Sequence, residues 1–202
     1  MVEIEKLNHS SFLIKGKNKS IIIDPYNIKT NEKADIILIT HPHFDHFSPQ
    51  DIKRVKKKNS LVVMPPLHNT KKISESSVFM RPWGELKRGS THIRGIPSYN
   101  TDKDYHPKVS GWLGYVIEID NVRIYHAGDT DFIKEMKKLG EINYAMLPIC
   151  GKYAMSAKEA ARAVDIIMPE VAIPMHYGRL VGSYEEADEF CELCSCPVEM
   201  KS

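Results

Sequence analysis

Ile36-Ile37-Leu38-Ile39-Thr40-His41-Pro42-His43-Phe44-Asp45-His46 is the stretch on which the reading of this chain turns. Four consecutive apolar residues, three of them β-branched, form a buried strand. Directly after it, three histidines and one aspartate fall between His41 and His46. Neutral imidazole and carboxylate are the side chains that suit zinc or iron where no thiolate is present. A strand end followed by a loop stiffened at Pro42 holds such side chains with little freedom left to lose. His41 and His43, two apart, can point the same way and share one ion, while Asp45 and His46 face a neighbouring position. A lone His-x-His carries little weight. Four ligand-type residues together at a strand end mark a metal-binding core.

Outward from this core, apolar β-branched runs alternate with helical patterns. Strands are predicted at Val2–Leu7, Ser11–Ile14, Ser20–Ile23, Ile36–Ile39, Leu61–Met64, Thr91–Ile96, Trp112–Ile119, Val122–Tyr125, Ala145–Pro148 and Val171–Pro174. Asp120-Asn121 lies where a tight hairpin turn is needed. Helices are predicted to begin at Pro49, Thr130, Ser156 and Ser183, the last two with Glu159 and Glu186 completing capping boxes. Ser98–Ser110 reads as a long loop, of the kind that usually carries function. Antiparallel strands followed by strand–helix units, given twice, predict two sheets packed face to face with helices outside.

The bulk numbers narrow the class. At 202 residues the chain fits one domain, residues 1–202, able to bury roughly 70% of its unfolded surface without disulfides. A net charge of +2 is too small to argue for nucleic acid, and the basic run Lys53, Arg54, Lys56, Lys57, Lys58 reads as the wet face of a helix end. No apolar run approaches the ~20 residues of a membrane span. The N-terminal MVEIEKL lacks a signal core, and the four cysteines form no secreted framework, so a cytoplasmic location is expected.

His41-Pro-His-Phe-Asp-His46 resembles the signature of the metallo-β-lactamase superfamily, and further motifs follow in order. Asn8-His9-Ser10-Ser11-Phe12-Leu13-Ile14 resembles the opening motif of the branch containing ascorbate-6-phosphate lactonase and N-acylphosphatidylethanolamine phospholipase D. Ile23-Asp24-Pro25, Ala127-Gly128-Asp129-Thr130 and Pro174-Met175-His176-Tyr177-Gly178 resemble the later landmarks. The resemblance covers essentially the whole chain. It implies an α/β fold, the four-layer αββα sandwich, with two divalent ions at the edge between the sheets. Zinc is the expected ion, with manganese or iron as alternatives.

Carried over, His41 and His43 bind the first ion, Asp45, His46 and His176 the second, and Asp129 bridges them. The third histidine of the first ion usually follows a Pro-Ala-x pattern. Here that place is taken by Asn100, in Pro97-Ser98-Tyr99-Asn100. His106, six residues on, is the preferred replacement, with Asn100 as the alternative. His9 is read as a hydrogen-bonding partner of the ligands, Asp24 as either such a partner or a plain turn aspartate, His126 as a strand-packing residue with a supporting role near the site as the alternative, and His68 and His92 as surface residues. Cys191, Cys194 and Cys196 lack a fourth zinc ligand.

Two cations would lower the pKa of a bridging water toward ~7 and polarise a carbonyl or phosphoryl oxygen. The expected function is therefore hydrolysis of a small ester, lactone or phosphodiester, with Asp45, Asp129 and Tyr177 as catalytic residues and a small molecule as partner. Tyr177 would donate to the oxyanion or leaving group. Lys152 and Tyr153 could meet an anionic group, and Tyr99, Asn100 and Tyr105 sit on the loop expected to form one wall of the cleft. Cys150 is read as a small residue lining the site, not a nucleophile. A nucleic-acid phosphodiesterase of the same superfamily and a non-catalytic metal-binding module stand as alternatives. Neither nucleic acid nor a membrane is an expected partner.

Overall fold

The computed structural model describes residues 2–66, 76–178 and 180–201. His68 therefore lies outside the described residues. Two six-stranded sheets, each with its strands in chain order, form the frame. The first contains β1 (Glu3–Asn8), β2 (Ser11–Lys15), β3 (Ser20–Ile23), β4 (Ala34–Leu38), β5 (Lys56–Met64) and β6 (Ser77–Phe79). The second contains β7 (Glu85–Arg88), β8 (Thr91–Pro97), β9 (Leu113–Ile119), β10 (Val122–His126), β11 (Tyr144–Pro148) and β12 (Val171–Met175). Each sheet begins with antiparallel pairs and ends with parallel ones. This is the predicted αββα arrangement.

Period-two alternation sorts the strand residues between two cores. From the first sheet, Phe12, Ile14, Ile21, Ile23, Ile36, Leu38 and Val63 enter the large core shared with the second sheet. Their neighbours Leu13, Ile22, Ile37, Val62 and Met64 face the opposite way, under Ile52 and Val55 of helix α1 (Pro49–Val55). On the other side, α2 (Ala157–Ile167) packs on β11 and on α3 (Tyr184–Leu193). Ser48 caps α1 by accepting from the Asp51 amide, and Ser156–Glu159 and Ser183–Glu186 close the two predicted capping boxes. The Asp120-Asn121 turn has positive φ at both residues, as the hairpin requires. No described helix is long and apolar enough to cross a membrane.

Two expectations are corrected. The basic run does not lie on a helix end throughout: α1 stops at Val55, and Lys56, Lys57 and Lys58 open β5. Lys57 is held there by Asp35 at 2.8 Å, and the Ser60 hydroxyl accepts from its amide. No helix begins at Thr130, because its hydroxyl is committed to the loop through the Tyr99 and Asp131 carbonyls. Only a 3-10 turn forms, at Lys134–Lys138. Strands β6 and β7 were not foreseen.

Three hydrogen bonds tie the sheets together along one edge. The Leu113 amide donates to the Thr40 carbonyl at 3.0 Å, the Tyr115 hydroxyl to the Ile39 carbonyl at 2.6 Å, and His126 Nε2 to the Ser10 carbonyl at 3.0 Å. Tyr115 is fully buried, so its removal strands a carbonyl away from water. Tyr115→Phe should destabilise the fold by about 1–3 kcal/mol, read as a lower urea midpoint at unchanged slope. An unchanged midpoint would remove this tie from the account.

Candidate metal centre

The end of β4 delivers Thr40 and the histidine loop to the stitched edge. Within the loop, the His43 carbonyl accepts from the amides of His46 and Phe47, both at 3.0 Å, closing a turn that points the side chains back between the sheets. Asp24, at the end of β3 and fully buried, sets the orientation of two of them. Its Oδ1 accepts from the Thr40 amide at 2.7 Å; its Oδ2 accepts from the Thr40 hydroxyl at 2.6 Å and from His46 Nδ1 at 2.8 Å. Since the Thr40 hydroxyl spends its one proton on Asp24, it accepts from His41 Nδ1, 2.9 Å away. His41 and His46 thereby turn their Nε2 atoms to the same small space. Asp24 thus hydrogen-bonds His46 directly and reaches His41 through Thr40.

Two groups of ligand atoms meet there. In the first, His41, His43 and His106 bring ring nitrogens within 4.8 Å of one another. Asn100 does not join them. Its Oδ1 accepts from the amide and Nδ1 of His106, at 2.9 and 3.1 Å, and its Nδ2 donates to Asp131 Oδ1 and the Tyr153 carbonyl, both at 3.0 Å. That amide is fully engaged and serves to aim His106 inward. Trp112 closes the side of this group, its ring 4.9 to 5.4 Å from the three imidazoles.

The second group joins Asp45, His46 and His176 with His9. His9 Nε2 is 3.4 Å from Asp45 Oδ2, and its ring lies 4.1 Å from that of His176. His9 thus stands among the candidate ligand atoms, nearer the centre than the supporting position expected for it. The one sequence signal was its place in the Asn8-His9 turn between β1 and β2.

Asp129 lies between the groups, presented by a turn in which Gly128 has φ +64 and approaches the Leu113 carbonyl so closely that a Cβ would sit 2.8 Å from it. Asp129 Oδ2 is 2.9 Å from His176 Nε2, 3.5 Å from His106 Nε2 and 3.9 Å from His41 Nε2. Oδ1 is 3.3 Å from His46 Nε2. Yet Nε2 of His9, His46, His106 and His176, and Oδ1 of Asp129, are buried without a hydrogen bond of acceptable geometry. Buried polar atoms that converge on one space without bonding one another fit cations held between them.

The electrostatics divide the same way. Burial lowers His41 and His43, and brings His106 and His9 to about 4. Burial also disfavours charge on His46 and His176, but the Asp129 carboxylate outweighs it, aided by Asp24 at His46 and Asp45 at His176. His46 rises to about 10 and His176 well above its ordinary value. Burial works against the charged forms of Asp45 and Asp129, and the neighbouring histidines reverse it, holding both carboxyls well below the usual range.

The remaining expected residues lie around this centre. Tyr177 is buried beside His176 with its hydroxyl 3.9 Å from Met200 Sδ. Tyr105 and Tyr153 meet edge to face at 4.7 Å, with Lys152 over the Tyr153 ring at 5.0 Å. Tyr99 does not wall a cleft: it is buried and donates to Glu135 Oε2 at 2.9 Å, because its place next to β8 turns it into the core. Cys150 is buried, with its thiol against His176. Cys191, Cys194 and Cys196 join no group of three ligand atoms among the described residues. His126 packs in β10 as expected, and the partly exposed His92 pairs with Glu85 at 3.2 Å.

Comparison with known proteins places the chain in a family. The family model of the beta-lactamase superfamily domain matches residues 3–176. A UPF0173 metal-dependent hydrolase of Thermococcus onnurineus is 34% identical, over 99% of this chain and 95% of its own length. Another, from Nanoarchaeum equitans, is 36% identical over 87% and 84%. Among solved structures, a protein from Parabacteroides distasonis superposes with a TM-score of 0.86 at 29% identity, covering 99% of this chain and 92% of that one. Igni18, a metallo hydrolase from Ignicoccus hospitalis, gives 0.77 at 25% identity, covering 98% and 94%. The chain belongs to the metallo-β-lactamase superfamily, within its UPF0173 family of metal-dependent hydrolases.

Proposed function

We propose that the chain hydrolyses a small ester, lactone or phosphodiester through a dinuclear centre. His41, His43 and His106 would hold one ion, Asp45, His46 and His176 the other, and Asp129 both. The observation that carries this reading is the position of the Asp129 carboxylate, within 3.9 Å of ring nitrogens from both groups. A donor set of imidazole and carboxylate without thiolate suits zinc, and accepts manganese or iron. The motif style shared with the lactonase and phospholipase D branch supports the substrate class.

Two divalent ions bound here would supply water of lowered pKa and an electrophilic partner for a carbonyl or phosphoryl oxygen. Asp24 fixes the Nδ1 proton of His46 directly and the Thr40 hydroxyl fixes that of His41, so both rings would turn Nε2 toward the ions. Asp45 is partly exposed, with Oδ2 3.6 Å from His176 Nε2, and would hold the second ion from the open side. Among the described residues the Tyr177 hydroxyl donates only to the weak Met200 thioether, a bond it could exchange for one to a developing oxyanion or leaving group.

Metal analysis with a screen of ester, lactone and phosphodiester substrates tests the whole reading. The parent protein should carry two equivalents; His106→Ala should lose about one and most activity. Full occupancy and activity in His106→Ala would sink the assignment, and a fully metallated protein that cleaves no ester class would leave a binding module. Asn100→Ala and Asp24→Asn, which touch the ligands only through hydrogen bonds, should weaken metal affinity or activity by about 10–100-fold. Trp112 fluorescence gives a direct binding readout for both. Tyr177→Phe should keep its metal and lose at least tenfold in kcat; an unchanged rate would remove Tyr177 from the chemistry.

A further inference from the structure

A cavity of about 470 Å³ opens beside the second ligand group. His9 belongs to both, lining the cavity and standing 3.4 Å from Asp45. Leu7, Leu180 and Met200 make much of the wall apolar, and Tyr177 and Tyr184 meet edge to face there at 5.8 Å. The size and lining are those of a small-molecule site.

One charge in this wall is unmatched. Lys6, partly buried on β1, holds its Nζ 4.0 Å from the centroid of the Tyr177 ring. Among the described residues no carboxylate pairs with it, and no acidic side chain lines the cavity. The acids of its own strand, Glu3 and Glu5, act on Lys15 instead. Lys201 at the rim is already held by Glu199 at 2.8 Å. Burial, with no anion to offset it, lowers Lys6 to about 8. A partly desolvated ammonium carries a solvation cost that a ring face offsets only in part. An incoming anion would offset much of the rest.

We infer that this cavity receives the non-reacting part of the substrate, an apolar chain or ring ending in a carboxylate or phosphate that pairs with Lys6 Nζ. The bond to be cleaved then extends past His9 toward Asp45 and His176. The inference rests on the hydrolytic reading above and names the substrate class for it: small amphipathic anions.

Calorimetric titration of the metal-loaded protein with octanoate, octyl phosphate and octanol tests it. At least one anion should bind at least tenfold more tightly than octanol, and the two anions distinguish carboxylate from phosphate. Lys6→Met should erase that margin while leaving metal content and octanol binding unchanged, and Lys6→Arg should restore it. Equal binding of octanol and both anions, or an anion preference that survives Lys6→Met, would overturn the inference. Ester cleavage indifferent to charge and to Lys6 would do the same and leave the hydrolase standing. Lys6-dependent anion binding in a protein that cleaves no ester would overturn the hydrolytic reading and keep the cavity as an anion site.

Discussion

The buried carboxylate of Asp24 is the constraint around which the metal centre is built. An ionised acid with no access to water is tolerable only if its lone pairs are filled, and here three donors fill them: the Thr40 amide, the Thr40 hydroxyl and His46 Nδ1. Each bond also fixes something else. The first two lock the end of β4 to the end of β3, the third aims His46, and the Thr40 hydroxyl passes the constraint on to His41. The Ser11 hydroxyl donates to the Asp24 carbonyl at 2.5 Å, which brings the β1–β2 hairpin into the same knot. One residue, through its carboxylate and its carbonyl, therefore couples three strand ends to the imidazoles of both ligand groups.

The strain around the centre belongs to the same design. His9, Asp24 and His176 all adopt positive φ, at 32°, 45° and 60°. A side chain in this region costs of order 1 kcal/mol or more and persists only where the surroundings over-determine it. Here they do, through the sheet-to-sheet bonds at Thr40, Ile39 and Ser10. A more relaxed backbone at His9, Asp24 and His176 would direct these side chains away from the centre.

What was legible in the sequence follows from what is local. The buried strands announce themselves because both faces of β2 to β5 are covered, so apolar residues run nearly without break. Strands β6 and β7 escape notice for the opposite reason: β7 is Glu85-Leu-Lys-Arg88, an edge strand whose place is set by pairing with β8 and not by its own composition. Lys56–Lys58 mislead because charge on an exposed strand start looks like charge on a helix face. In the centre, His41 to His46 are readable since one loop carries them. His106 and His9 depend on contacts across the fold. Asn100 stands where a ligand is customary, and only the structure reveals that its amide is consumed in holding His106.

The ligand groups differ in charge, and this connects stability to function. Three imidazoles of lowered basicity make the first group neutral apart from its share of Asp129. The second has Asp45 and the other share of Asp129, and its own His46 and His176, both raised, act as the counter-ions. The raised histidines thus offset the cost of the buried carboxylates. Any cation bound only by the native arrangement also stabilises that arrangement by mass action. The carboxylates that burden the fold are the same ones that give it a charge to bind.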